Sequence, residues 1–402
     1  MKLVAKTFYG LEEVLKEELE SIGAQNVEAG NRAVTFEGDL RLLYEANLWL
    51  RTAISVLRPI KTFRYKNEHD LKRVFADINF KQYMSASQTF AVKGAVHSKE
   101  FKFSQYPMLL LKDAVVDFFR DAQGRRPDVN LEKPNVLFDL HVQDNQCTIA
   151  LNSSGAPLFQ RGYRKDTGDA PLNEVVAAGL LALAGWKGET NFIDPFCGSG
   201  TLPIEAALIA NGMPPAIVRK RFSFMNWPDF DQQLWDDIKR KVPMQPNRNL
   251  NVRIIGSDFN GDMILMARNN ARSLPLGKTI SFETKGFRDQ TSPGVPGVLI
   301  SNPPYGERLE VDEIGDLYKE VGDFFKHEMA GYDCWLLSSN LEALKRVELK
   351  PSKKVQMYNG SLSCDFRKYT IFEGSLKEFK YKHSNERRVP KRKPGKKPQR
   401  RQ

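Results

Sequence analysis

Residues 297 to 309 read Gly-Val-Leu-Ile-Ser-Asn-Pro-Pro-Tyr-Gly-Glu-Arg-Leu, an apolar run that ends in an asparagine, two prolines and an aromatic ring. The prolines fix the backbone and remove two N–H donors, so carbonyl oxygens and the Asn302 amide oxygen remain as acceptors. An exocyclic amine conjugated to a ring is a poor nucleophile because its lone pair is delocalised. Acceptors that grip its hydrogens would draw the nitrogen toward tetrahedral geometry and aim the lone pair at an electrophile. An aromatic ring such as Tyr305 can stack on a base taken out of its helix. Asn302, Pro303 and Tyr305 are therefore candidate substrate-holding residues. A bare Asn-Pro-Pro would equally suit a turn leaving a strand, so the assignment depends on what lies upstream.

Two upstream stretches supply that context. In Asn191-Phe-Ile-Asp-Pro-Phe-Cys-Gly-Ser-Gly-Thr, a short apolar strand delivers Asp194. A glycine turn follows at Gly198 and Gly200, and a helix begins near Thr201 with Pro203 in its first turn, where a missing N–H costs nothing. The stretch lacks the Lys-Ser/Thr ending of a phosphate loop and the Gly-x-Gly-x-x-Gly of a dinucleotide site. Its glycines would admit a ligand close to the backbone, and Asp194 would repel phosphate but suit an ammonium group. In Ile254-Ile-Gly-Ser-Asp-Phe-Asn, a second apolar strand ends in Asp258. An acid there can accept hydrogen bonds from ribose hydroxyls, or simply cap the next helix. Taken together the two acids favour a nucleoside that carries a charged amino acid, which is S-adenosyl-L-methionine.

The elements that must position these residues alternate short apolar strands with helices of 10 to 15 residues from Asp169 onward, the pattern of a parallel sheet covered on both faces. An aromatic-rich stretch, Arg221 to Lys241, is too long for an ordinary connection and reads as an inserted helical excursion. Ahead of this half, strands and helices alternate within about 50 residues as a small α/β module. A further unit to about Leu158 contains a helix from Pro107 to Arg120 and two strands joined at Gln-Asp-Asn.

The 402 residues suffice for two or three domains. Of the net charge of +11, nine positive charges lie between Arg387 and Gln402 with no acid among them, leaving +2 for residues 1 to 386. That Pro-broken basic tail has nothing to bury; attraction to nucleic acid and plain solubility are its two readings. Four cysteines without Cys-x-x-Cys spacing and five scattered histidines predict neither a disulfide framework nor a metal site. The longest apolar stretch, residues 175 to 185, falls short of the ~20 residues that span a bilayer. A cytoplasmic protein without membrane attachment is expected.

Five segments together carry a resemblance. They are Leu151-Asn-Ser-Ser-Gly-Ala-Pro-Leu-Phe-Gln-Arg-Gly-Tyr-Arg, Ala170-Pro-Leu-Asn-Glu, Asp194-Pro-Phe-Cys-Gly-Ser-Gly-Thr, Arg221-Phe-Ser-Phe-Met-Asn-Trp and Asn302-Pro-Pro-Tyr-Gly-Glu-Arg-Leu. In this order they resemble the THUMP-domain class I S-adenosylmethionine-dependent RNA guanine-N2 methyltransferases, a family that includes the N-terminal half of the enterobacterial 23S rRNA enzyme.

The resemblance implies an α/β chain with a ferredoxin-like module (residues 1–43), an RNA-binding THUMP domain (44–158), a Rossmann-like methyltransferase domain (159–375) and a basic tail (376–402). It implies that Asp194, Pro195, Phe196, Gly198, Ser199, Gly200 and Thr201 surround the methionine part of the cofactor. Asp258 would hold the ribose, Phe259 and Phe287 the adenine, and Asn302, Pro303 and Tyr305 the target base. Four positions depart from the family pattern. Gly286 stands where an acid is usual against the adenine amine, with Asp289 displaced by three; Asn152 replaces Asp; and Phe159-Gln160 replaces His-Lys.

The clamp alone would fit adenine N6, a glutamine amide or guanine N2. The α/β sequence ahead of the catalytic half tilts the expectation to guanine in RNA. Ribosomal RNA is the first expectation and transfer RNA the alternative. A non-enzymatic RNA-binding module on the same scaffold is the remaining reading.

Overall fold

The computed structural model describes residues 1–165, 171–247, 249–294, 297–304, 311–360 and 362–372. Two seven-stranded sheets organise the chain. The front sheet is built from β1 (Lys2–Lys6), β2 (Gln25–Gly30), β3 (Ala33–Glu37), β4 (Ser55–Arg64), β5 (Phe90–His97), β6 (Val136–Gln143) and β7 (Gln146–Asn152), in the order β2-β3-β1-β4-β7-β6-β5. Four helices accompany it: α1 (Glu12–Ser21), α2 (Leu40–Trp49), α3 (Glu68–Ala76) and α4 (Tyr106–Gln123).

Local chemistry sets several of their ends. Asp39 caps α2 by accepting from the Leu42 N–H at 2.8 Å. Pro107 lies in the first turn of α4, and Gly124 closes that helix in the left-handed conformation at φ 63°. The boundary placed between residues 43 and 44 falls inside α2, which must move as one piece. β4 also pairs with both β1 and β7, so one sheet runs through both front modules.

The catalytic half holds α5 (Glu174–Leu183), β8 (Asn191–Asp194), α6 (Thr201–Ala210), α7 (Gln232–Arg240), β9 (Ile254–Asp258), α8 (Gly261–Arg272), β10 (Ile280–Thr284) and β11 (Gly297–Ser301). It continues with α9 (Val311–Glu328), β12 (Asp333–Ser338), α10 (Leu341–Arg346), β13 (Lys353–Asn359) and β14 (Leu362–Thr370). Its sheet runs β10-β9-β8-β11-β12-β14-β13, with β14 antiparallel to both neighbours. The chain builds outward from β8 to β10, then returns to lay β11 on the other side of β8. That reversal opens a crevice at the carboxyl ends of β8 and β11, where open α/β sheets bind ligands.

Apolar clusters fill both faces of this sheet, one including α5 and α6 residues and the other α9 and α10 residues. The excursion after α6 behaves differently. Phe222, Phe224, Trp227, Trp235 and Ile238 join the core cluster of the front half. Phe224 stacks on Tyr44 of α2 with ring centroids 4.4 Å apart, and Tyr44 accepts a hydrogen bond from the Asp231 N–H at 3.0 Å. The excursion is thus a clamp that the catalytic half closes on the front half. No helix among the described residues is long and apolar enough to cross a membrane.

Candidate active site

β8 ends in Asp194, which is 2% exposed. Its Oδ1 accepts from the Phe196 N–H at 3.1 Å and from the Ser301 hydroxyl, at the end of β11, at 2.9 Å. Burial pushes this carboxyl up to about 7; the two hydrogen bonds oppose the shift and the Asp258 charge adds to it. No cation among the described residues forms an ion pair with it.

The loop from Pro195 to Thr201 turns through two left-handed glycines, Gly198 at φ 52° and Gly200 at φ 86°. A Cβ on Gly200 would lie 2.8 Å from the Ala267 Cβ, so the position is closed to larger residues by packing as well as by φ. A Cβ on Gly198 would meet nothing within 4 Å: one side of the loop faces open space. The Gly198 N–H donates to Asp258 Oδ2 at 3.0 Å, and the Asn260 N–H to Asp258 Oδ1 at 2.9 Å. Asp258 therefore joins the ends of β8 and β9, while Phe259 beside it is 79% exposed.

The predicted residues separate into three groups. Asp194 to Thr201 make the turn from β8 into α6, and Asp258 at the end of β9, followed by Phe259, is tied to that turn through Gly198. Phe287, expected beside the adenine, is 5% exposed and belongs to the core. It stacks on Phe196 at 5.0 Å and meets Phe324 edge-on, so it braces the loop from below. Asp289 is exposed in the short helical turn Phe287–Asp289. Asn302 and Pro303 follow β11 directly, and Tyr305 lies outside the described residues. Asn302 Oδ1 is buried and, among the described residues, has no hydrogen-bond partner, an acceptor that needs a donor. Asn152, one of the departures, accepts from the N–H groups of Ser154 and Gly155 at 3.0 Å each and forms the turn at the end of β7.

Ser301 and Arg164 escaped the sequence reading. Ser301 precedes Asn302 at the end of the apolar run, and only the pairing of β11 with β8 reveals its partner. Arg164 lay inside a resembling segment without an assigned role. It contacts four groups around the loop: Glu174 Oε1 (2.8 Å), Leu172 O (3.0 Å), Thr201 Oγ1 (3.0 Å) and Ser199 Oγ (3.4 Å).

The family model of RMKL-like methyltransferase domains matches residues 161–368, just over half the chain. This chain belongs to the RMKL-like methyltransferases. Ahead of that domain, the RlmL ferredoxin-like domain matches residues 2–57 and the THUMP domain residues 65–152.

A Synechocystis protein, slr0064, provisionally named an RNA methyltransferase, is 37% identical over 90% of this chain and 95% of its own length. The ribosomal RNA large subunit methyltransferase K/L of Shewanella frigidimarina is 37% identical over 92% of this chain but 52% of its own length. The chain thus spans about half of that relative. Among solved structures, SMU.472, provisionally a methyltransferase and solved with S-adenosylhomocysteine, shares 28% identity at a TM-score of 0.83, covering 93% of this chain and 99% of its own. Class I methyltransferase is therefore the architecture of the catalytic half.

Proposed function

We propose that this chain transfers a methyl group from S-adenosyl-L-methionine to the exocyclic N2 amine of a guanosine in RNA, with large-subunit ribosomal RNA as the substrate. The observation that carries the reading is the buried Asn302 Oδ1, without a donor among the described residues, just past the strand end whose Ser301 hydrogen-bonds Asp194, itself without a cation among them. A neutral acceptor without a donor fits an amine N–H, and an anion without a cation fits an ammonium group. The front architecture and the K/L relatives support RNA, and the five resembling segments support guanine.

The residues divide the work. Asp194 and the loop from Pro195 to Thr201 would hold the amino-acid end of the cofactor, Asp258 the ribose hydroxyls and Phe259 one face of the adenine. S-adenosylmethionine supplies a methyl group made electrophilic by its sulfonium. Asn302 Oδ1 accepts one amine hydrogen, the rigid Pro303 aims the neighbouring carbonyl, and Tyr305 would stack on the flipped base. Orientation and exclusion of water supply most of the rate, because the departing proton becomes acidic as the carbon–nitrogen bond forms and needs no strong base.

Mass spectrometry of modified nucleosides from cells with and without the gene tests this directly. Loss of one N2-methylguanosine from large-subunit rRNA is expected. Loss from tRNA alone would move the substrate to tRNA, and loss of an N6-methyladenosine would overturn the choice of base.

A further inference from the structure

The five residues Arg161 to Arg164 and Lys165 leave the front half and reach the loop of residues 195–201. At their start they are tied to the front half. The Arg161 guanidinium, 1% exposed, donates through Nη1 to Leu158 O at 2.9 Å and through Nη2 to Arg51 O. Arg161 also lies 3.5 Å from Glu205 on α6, and the Tyr163 hydroxyl donates to the same Glu205 oxygen at 3.1 Å.

At their end they are tied to the loop. Arg164 spreads one guanidinium over Glu174, the Leu172 carbonyl, Thr201 and Ser199. The Lys165 N–H donates to Asn270 Oδ1 at 2.9 Å, and Asn270 Nδ2 donates to Ser199 O at 3.1 Å. Ser199 is therefore held from both sides, through its hydroxyl by Arg164 and through its carbonyl by Asn270.

We infer that Arg164 is a positioning residue for the cofactor loop, fixing Ser199 and Thr201 so that the loop's open side keeps the shape the cofactor needs. This rests on the reading of residues 194–201 as the cofactor site. A planar fork with several donors in fixed directions can bridge two hydroxyls, a carbonyl and a carboxylate at once. A lysine keeps the charge that Glu174 requires but, as a point charge, cannot span the same four groups. The loop's two left-handed glycines make its backbone permissive, so external ties of this kind decide which conformation it holds.

The test uses the full chain and two ligands, S-adenosylmethionine in turnover and S-adenosylhomocysteine in calorimetry. Arg164→Lys should raise the KM for the cofactor and the Kd for S-adenosylhomocysteine about tenfold, with kcat at saturating cofactor within about twofold, the scale set by one lost charge-assisted hydrogen bond. Arg164→Lys combined with Glu174→Gln should bind no more weakly than the weaker single variant, since both cut the same tie. Glu174→Gln, which weakens the anchor but spares Arg164, should raise the Kd several-fold and serves if Arg164→Lys folds poorly.

Unchanged ligand affinity in Arg164→Lys with a lowered melting temperature would reduce Arg164 to a structural residue and overturn the inference, as would strict additivity with Glu174→Gln. Asp194→Asn separates the two levels. If it also binds S-adenosylhomocysteine normally, the cofactor-site reading itself fails. If it loses binding while Arg164→Lys does not, only the role of Arg164 fails.

Discussion

The two strand ends that flank the crevice carry opposite deficits. At the end of β8, Asp194 accepts hydrogen bonds from Phe196 and Ser301, yet its charge meets no described cation. At the end of β11, Asn302 Oδ1 carries no charge, yet no donor among the described residues reaches it. A buried charge without a partner and a buried acceptor without a donor are both costly. They ask for different ligands, the first for a cation and the second for a polar N–H. A methyl donor with an ammonium group and an aromatic amine to receive the methyl would satisfy one each. Ser301, which belongs to β11 but hydrogen-bonds Asp194, is where the two halves touch.

Breaking the β11 half should have the larger effect on chemistry. Asn302→Ala is expected to slow single-turnover methyl transfer to RNA by about 10²–10³-fold, the range for losing one preorganised polar contact at a reacting group. Binding of S-adenosylhomocysteine should be nearly unchanged, because the contact belongs to the amine and not to the cofactor. Equal loss of both would mean that the two ends are not separate devices.

Breaking the β8 half should invert that pattern. Asp194→Asn keeps the shape and removes the charge, so S-adenosylhomocysteine affinity should fall at least about 30-fold by calorimetry, the low end of the scale for truncating one member of a buried charge pair. An unchanged dissociation constant would remove Asp194 from the cofactor site.

The same carboxyl gives the comparison a pH signature. Free Asp194 is raised from 3.8 to about 7, so below pH 7 it is mostly protonated and cannot neutralise an ammonium group. Binding the cation must then expel a proton. Affinity should rise with pH by up to tenfold per unit until about pH 7 and level off above it, and Asp194→Asn should flatten the profile. The unliganded fold shows the opposite sign. Its native carboxyl holds a proton that the unfolded chain has lost, so this group's contribution to stability declines as pH rises from about 4 to 7. Thermal melts with and without S-adenosylhomocysteine across that window check both signs.

The strands that carry this comparison were legible for a physical reason. β8, β9, β11 and β12 are buried on both faces, so each reads as a continuous apolar run ending in a polar residue. β2, with the sequence Gln-Asn-Val-Glu-Ala-Gly, is almost wholly exposed and offered no such run. β4 contains Pro59, which argues against a strand; the sheet accommodates it at a register shift between Pro59 and Lys61. The aromatic excursion was visible as an insertion, but its destination was not. Phe224 and Tyr44 are 180 residues apart, and no periodicity links them. The site followed the same rule. Asp194, Asp258 and Asn302 announced themselves at strand ends, whereas Ser301 and Arg164 act through partners 107 and 37 residues away.

Ser301 offers the finest cut through the comparison, because it lies on one strand and acts on the other. Ser301→Ala removes the hydroxyl that donates to Asp194 Oδ1 and stabilises its ionised form. The Asp194 carboxyl should therefore titrate at still higher pH, and the rising limb of cofactor affinity should move toward alkaline pH with it. At pH 8.5 the variant should bind S-adenosylhomocysteine within about twofold of the parent, since a hydrogen bond to a carboxylate of about 1.5 kcal/mol shifts the titration by about one pH unit and leaves both carboxyls largely ionised there. At pH 6.5 the gap should widen to several-fold. Calorimetry at the two values gives the contrast. A deficit of equal size at both would mean that Ser301 shapes the crevice without tuning the acid, and the two halves would then be joined by packing alone.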